Sequence, residues 1–328
     1  MNFMKDSSFE YAGVVDAFNE LPNKIKELGW EGDSRNGKVW SMPHPITVKF
    51  NNPRDRILYS PSRDANPTFH LVEALWMLAG RNDTASLTKY VKKMQDYSDD
   101  GETFHAAYGH RWRHHFGLDQ LQVVVDRLLT YRNDRRTILA MWDGECDLSD
   151  SNDMKDLPCN MLIKFSETDN DLYQHKKQLN MTVFNRSNDV ILGMLGANIV
   201  HMTILQEYIA SKIGAEVGYY YVMSDDVHLY ENLLPKLEVE ATPMIESPKL
   251  FNSPMLFMEE VKEWFEIKGE EEKAEINWRN EILNIASDLC YAHKIGKLDR
   301  DTAMSFLDQK VEPWRIAAKL WHSKRKGK

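Results

Sequence analysis

Residues 69–80, FHLVEALWMLAG, leave this chain few ways to fold. At 3.6 residues per turn, positions 68–80 are apolar on most sides, so they predict a helix buried on most sides, stopped by Gly80. Residues 193–213 read as a second long apolar helix after a glycine-containing turn. Such helices need layers of structure around them. Strand-like runs are present to provide them: ITVKF within a stretch (31–60) punctuated by Gly, Asn and Pro, then TILAMW, NMLIKF, QLNMTVFNRS and YYYVMSDDVHLY. Residues 9–29 read as an amphipathic helix ending at Gly29, and 84–97 as an exposed helix. A further helix is expected at 119–132, with Leu121, Val124, Val125, Leu128 and Leu129 at helical spacing. After Pro243 the character changes. Residues 254–328 read as mostly helical, with an acidic stretch, EEVKEWFEIKGEEEKAE, and a basic end, SKRKGK. A charge pattern of that kind suggests a solvated helical appendage.

Composition excludes several classes. The 328 residues are 42% hydrophobic and 28% charged, enough to bury a core in one large or two average domains. A net charge of -9 argues against a grip on duplex DNA phosphates. Cys146, Cys159 and Cys290 are too few and too scattered for a disulfide framework or a thiolate zinc site. The N-terminus has no signal-peptide core, and no run approaches the ~18 apolar residues of a spanning helix. A cytoplasmic protein with reduced thiols is expected. No histidine stands at ligand spacing with a cysteine or carboxylate, and adjacent His114 and His115 would point apart, so no metal is expected.

Some residues stand out as chemistry. Cys159 follows Pro158 in DLPCNMLIKF, and the proline fixes the entry to a strand, so the thiol sits at a loop edge. A lone cysteine is more often a small buried apolar residue, and Cys146 and Cys290 keep that reading. Glu73 is one carboxylate inside an apolar helix. Burying it unpaired is costly, so it should be hydrogen-bonded, protonated or functional. Arg135 and Arg136 precede a strand. FNRSNDVILG carries Arg186, Ser187 and Asp189. YGHRWR sets Tyr108 beside a glycine. SDDVHLY puts His228 and Tyr230 on one face of an extended segment.

In their order and spacing, from about Gly32 to Tyr230, these motifs resemble the thymidylate synthase and pyrimidine hydroxymethylase superfamily. The resemblance implies an α/β (α+β) fold with a twisted mixed sheet covered by helices, the helices at 68–80 and 193–213 lying on one face. The expected organisation is a catalytic domain over 1–240 and a helical C-terminal extension over 241–328, packed on it or continuous with it. It also implies the chemistry. A thiolate, here Cys159, adds to C6 of the pyrimidine of a nucleoside monophosphate. C5 then attacks a one-carbon unit from 5,10-methylenetetrahydrofolate, a co-substrate. The thiolate is the attacking form, so a cationic neighbour is expected, and Arg186 matches it.

Arginine forks suit a phosphate. By the resemblance, Arg186 and Ser187 bind it from the same subunit and Arg135 and Arg136 from the partner of a homodimer. Arg35 matches a further phosphate arginine, with Arg63 competing for the role. Glu73 matches the glutamate that organises water and moves protons, in reach of folate. Tyr108 matches the tyrosine that helps remove the C5 proton. His228 and Tyr230 match the pair holding the sugar hydroxyl, and Asp189 matches a folate contact. Asn198 falls at the base-reading asparagine, after a loop one residue longer than the family's. Its amide can serve the N3–H and O4 edge of uracil, where cytosine-using members carry aspartate.

Three departures from the synthase pattern are visible. Asn160 stands in the substrate site where synthases have histidine after the cysteine. Met94 and Tyr97 fall near two tryptophan positions. The chain ends in SKRKGK rather than a short apolar closing segment. Each loosens the dry site that hydride transfer wants. They favour water as acceptor, hence a dUMP hydroxymethylase of the kind found in viruses that build modified DNA, with no membrane or nucleic-acid partner. Thymidylate synthesis, a dCMP hydroxymethylase and a non-catalytic nucleotide-binding relative remain the alternatives.

Overall fold

The computed structural model describes residues 7–34, 37–131, 133–148, 154–170, 176–242, 246–309 and 312–325. Among them the chain runs β1 (Ser8–Tyr11), α1 (Val14–Leu28), β2 (Trp30–Ser34), β3 (Gly37–Ser41), β4 (Ile46–Phe50), α2 (Pro67–Leu78), α3 (Ala85–Thr88), α4 (Tyr108–His110) and α5 (Gln120–Thr130). It continues with β5 (Ile138–Ala140), α6 (Gly144–Asp147), β6 (Asn160–Asn170), β7 (Lys176–Asp189), α7 (Asn198–Ile213) and β8 (Glu216–Tyr230). Five helices follow: α8 (Phe257–Glu266), α9 (Glu270–Glu275), α10 (Glu281–Gly296), α11 (Arg300–Leu307) and α12 (Pro313–Ser323).

The strands form one mixed sheet in the order β1-β4-β8-β7-β6-β5, with β3 on the β4 edge of β8 and β2 outside β3. β8 runs parallel to β7, and β6 antiparallel to it. Side chains alternate between the two faces. Val48, Phe50, Ile163, Phe165, Met181, Val183, Tyr220 and Val222 point inward and are buried. On the opposite face the register sets Leu162, Phe184 and Met223 side by side, none of them buried within one chain.

α1 and α7 cover the inner face of the sheet. Among the described residues α2 packs chiefly away from the sheet, contrary to expectation. It packs on α7 from one side and on α10 and α12 from the other. The reason is its sequence: a helix apolar nearly all round must be covered on both sides. The C-terminal residues are therefore no solvated appendage. Phe257, Val261, Trp264, Ile282, Leu283, Leu289 and Trp314 are buried and continue the core.

Other sequence expectations shift locally. The helix expected from residue 9 begins at Val14, because Ser8–Tyr11 pairs with β4 as a strand. The 84–97 helix is broken by extended Val91 into α3 and a 3₁₀ turn, Lys92–Tyr97. The apolar run Val190–Ile213 is long and apolar enough to cross a membrane, the one such run among the described residues, but most of it is buried in the core. Its first part, Val190–Ala197, is π-helical, and the Asn198 N–H bonds the Gly193 carbonyl. A π turn takes up one more residue per hydrogen-bonded ring than an α turn.

Candidate active site

α2 starts where Asn66 caps it, accepting the Phe69 N–H at 3.2 Å, with Pro67 in the first turn. This fixes Glu73 midway along a rigid, covered helix. α7 begins at Asn198 and carries His201 three residues on, on the same helical face. Where α2 and α7 pack, Glu73 Oε2 lies 3.2 Å from His201 Nε2, out of line for a hydrogen bond.

Tyr108 is brought in by a close approach. A Cβ on Gly109 would lie 1.8 Å from the Met77 carbonyl oxygen at the end of α2, so only glycine fits beside the tyrosine. The Tyr108 hydroxyl accepts the Asn160 backbone N–H at 3.4 Å, at the residue after Cys159. Burial pushes this phenol well above the ordinary range, so it works as a neutral hydrogen-bonding group.

Cys159 stands immediately before β6, as the Pro-Cys reading expects. With Glu73, Tyr108, Asn198 and His201 it lines one cavity of about 250 Å³. Trp76, Leu87, Met94, Tyr97 and Phe104 form an apolar and aromatic wall of the same cavity, and Asp156 lies there too. Asp156 accepts the Ala106 N–H at 2.8 Å, and burial pushes its carboxyl upward. His201 and Asp156 were missed in the sequence. The signal for His201 was the three-residue step from Asn198, and for Asp156 a carboxylate in the loop before Pro158.

The other expected residues gather at the ends of β7 and β8. Arg186 sends Nε to the Pro158 carbonyl at 2.9 Å and Nη2 to that of Leu157 at 3.4 Å, and its N–H bonds the Cys159 carbonyl at 3.0 Å. Its guanidinium lies over Trp142, 5.5 Å from the ring centre. The cation therefore braces the Cys159 loop. The β7/β8 register pairs Ser187 with Asp226 and Asp189 with His228. Ser187 bonds Asp226 at 3.3 Å, and the His228 and Tyr230 rings meet edge to face at 5.0 Å. Asp189 accepts the Ile191 and Leu192 N–H groups, capping the π segment, and burial pushes its carboxyl up.

Arg63 is buried and bonds the Ile191 carbonyl at 3.3 Å. Arg35 lies outside the described residues. Arg135 and Arg136 sit on an exposed turn before β5, where Arg136 bonds Asp134 at 3.5 Å, and neither lines the cavity. Asn160 does not line it either. Its amide is turned into the sheet, bonding Asn185, which reaches Ser224 and through it Asn188. A buried polar chain thus runs beneath the site across β6, β7 and β8.

The histidines do find partners at a distance in sequence. His115, Asp143 and Cys146 bring one ligand atom each within 4.8 Å of one another, a grouping made by the fold and not by spacing in sequence. His115 and Asp143 hydrogen-bond at 2.7 Å, and burial together with Asp143 pushes the Cys146 thiol up. Cys290 is buried against Tyr90, 3.0 Å from its hydroxyl, and burial pushes its thiol to about 11. Neither thiol lines the cavity that holds Cys159.

A family model described as thymidylate synthase matches residues 16–277, wider than the stretch that carries the motifs. The chain is similar to the deoxyuridylate hydroxymethyltransferase of Pseudomonas phage M6, 38% identical over 93% of this chain and 92% of that one. It is 35% identical to the deoxyuridylate hydroxymethyltransferase of Bacillus phage SP01, over 61% of this chain and 53% of that one. The thymidylate synthase of Mycoplasma genitalium is 27% identical over 46% of this chain and 49% of its own.

Proposed function

The chain belongs to the thymidylate synthase family, and from that premise we propose that it converts dUMP to 5-hydroxymethyl-dUMP. Membership makes it a folate-dependent transferase of a one-carbon unit to a pyrimidine C5. The observation that carries the finer reading is the likeness to the Pseudomonas phage M6 deoxyuridylate hydroxymethyltransferase along almost the whole length of both chains. That stretch includes C-terminal helices beyond residue 277, the end of the family match.

In this reading Cys159 adds to C6, and the ring's C5 attacks the one-carbon unit of methylenetetrahydrofolate. The aromatic wall of Trp76, Tyr97 and Phe104 suits the flat pterin ring of that co-substrate. Neutral Tyr108 relays the C5 proton rather than storing it. Elimination of tetrahydrofolate leaves an exocyclic methylene on C5, still tied to Cys159 through C6. Water adds to that methylene, and departure of the thiolate restores the 5,6 double bond. Asn198, held at the start of α7, reads the uracil edge. Arg186 and Ser187 bind the phosphate, His228 and Tyr230 the sugar. Arg135 and Arg136 complete the phosphate site of a second copy docked on the open face of the sheet.

Incubating the protein with dUMP or dCMP and methylenetetrahydrofolate, with products read by mass, tests the reading. Water capture adds 30 mass units to dUMP as CH₂O, about 16 more than a methyl group, and leaves tetrahydrofolate unoxidised. Formation of dTMP with a rise in dihydrofolate absorbance overturns hydroxymethylation. Product from dCMP but not from dUMP overturns the role of Asn198. Full turnover by Cys159→Ala removes the nucleophile assignment.

A further inference from the structure

Three polar groups of the cavity, Glu73, Asp156 and His201, have no task in the scheme above. His201 is 3% exposed, lines the cavity, and its Nε2 has no hydrogen-bond partner, although Glu73 Oε2 is only 3.2 Å away. A buried ring nitrogen left unsatisfied is costly, so it persists where something else completes it. The ring cannot swing away easily. It sits on α7, and His70 of α2 meets it edge-on at 6.3 Å. The nitrogen and the carboxylate oxygen thus face the same small space as Cys159 and Asn198. One water could bond to both.

We propose that His201 is a catalytic residue that, with Glu73, holds and deprotonates the water that captures the exocyclic methylene. This inference rests on the hydroxymethylase reading. In the step, the water oxygen bonds the methylene carbon and its proton passes to the His201–Glu73 pair. The electron pair of the C5=CH₂ bond moves to C5 and O4. It then reforms the 5,6 double bond as the C6–S bond breaks and Cys159 leaves as thiolate. No electrons are gained or lost overall. The proton left on the pair replaces the one taken up when the folate's five-membered ring opens.

The test separates water capture from everything before it. Tritium at C5 of dUMP is released when the C5 proton leaves, before water is needed, whereas hydroxymethyl product appears only after capture. In His201→Ala and His201→Gln the ratio of product formed to tritium released is expected to fall at least about tenfold, within the range of a lost general base. Added 2-mercaptoethanol should then trap the waiting methylene as a thioether on C5. The glutamine variant keeps a polar amide in the same space, for the case in which alanine does not fold. An unchanged ratio in the folded variant, with or without a slower overall rate, overturns the role of His201. If the unaltered enzyme forms dTMP instead, the hydroxymethylase reading itself has failed, and that outcome is distinct.

Discussion

Arg325 grips Asp64 with both guanidinium ends, at 2.7 and 3.0 Å, across 261 residues of chain. The arginine also stacks on Trp321, 3.7 Å from the ring centre. Asp64 sits beside Arg63, in a left-handed backbone conformation (φ 51°), so the end of the chain pins the loop that leads into α2. The pair is about one third exposed, which limits its worth. Arg325→Ala should lower stability by roughly 0.5–1 kcal/mol, read as a lower urea midpoint with an unchanged slope. An unchanged midpoint would mean the clamp carries nothing.

Gly109 admits no side chain. Replacing it with alanine forces a Cβ onto the Met77 carbonyl, and backbone, unlike a flexible side chain, cannot step aside. Gly109→Ala should cost about 3 kcal/mol or more and displace Tyr108 from the Asn160 N–H. Urea unfolding measures the first effect. A variant of undiminished stability would refute the close approach.

In the proposed dimer, arginines shared between subunits would let two inactive variants complement each other. Cys159→Ala and Arg136→Ala are each expected to have little activity alone. Mixed in equal amounts and allowed to exchange subunits, half the dimers are hybrids with one intact site of two, so activity should recover to roughly a quarter of normal. No recovery, with exchange verified by light scattering of tagged chains, would mean that each chain builds its own phosphate site.

Glu312 caps α12, accepting the Trp314 and Arg315 N–H groups, and burial pushes its carboxyl up to about 7. Its pKa is raised by folding, so the folded state holds a proton that the unfolded chain gives up. The stability from this group is fully present below its ordinary value of 4.5 and is lost as pH rises through about 7. Glu312→Gln, which stays neutral, should therefore gain on the unaltered protein as pH rises from 4.5 to 7. Parallel stability profiles for the two would contradict the raised carboxyl.

Much of the candidate site was legible because its residues are unusual in their local sequence. Pro158 before Cys159, a carboxylate in an apolar helix and a His-x-Tyr pair in a strand each break a local rule, and such breaks mark function. The strands around them follow from period-two alternation. What stayed hidden depends on long-range packing. His201 looks like any polar residue on a helix until α2 is laid against α7. The place of α2 could not be read either, since a helix apolar all round states that it is covered but not by what. Charge density misled for the C-terminal residues. Acidic side chains line the outer face of α8, while Phe257, Val261 and Trp264, at helical spacing, turn inward.

The π turns of Val190–Ala197 separate two residues with different duties, Asp189 at the end of a strand and Asn198 at the start of a helix. Ring for ring, these turns are wider than α turns, so an added residue is stored as girth and not as length. The segment thus takes up eight residues in little length between the strand that ends at Asp189 and the helix that begins at Asn198.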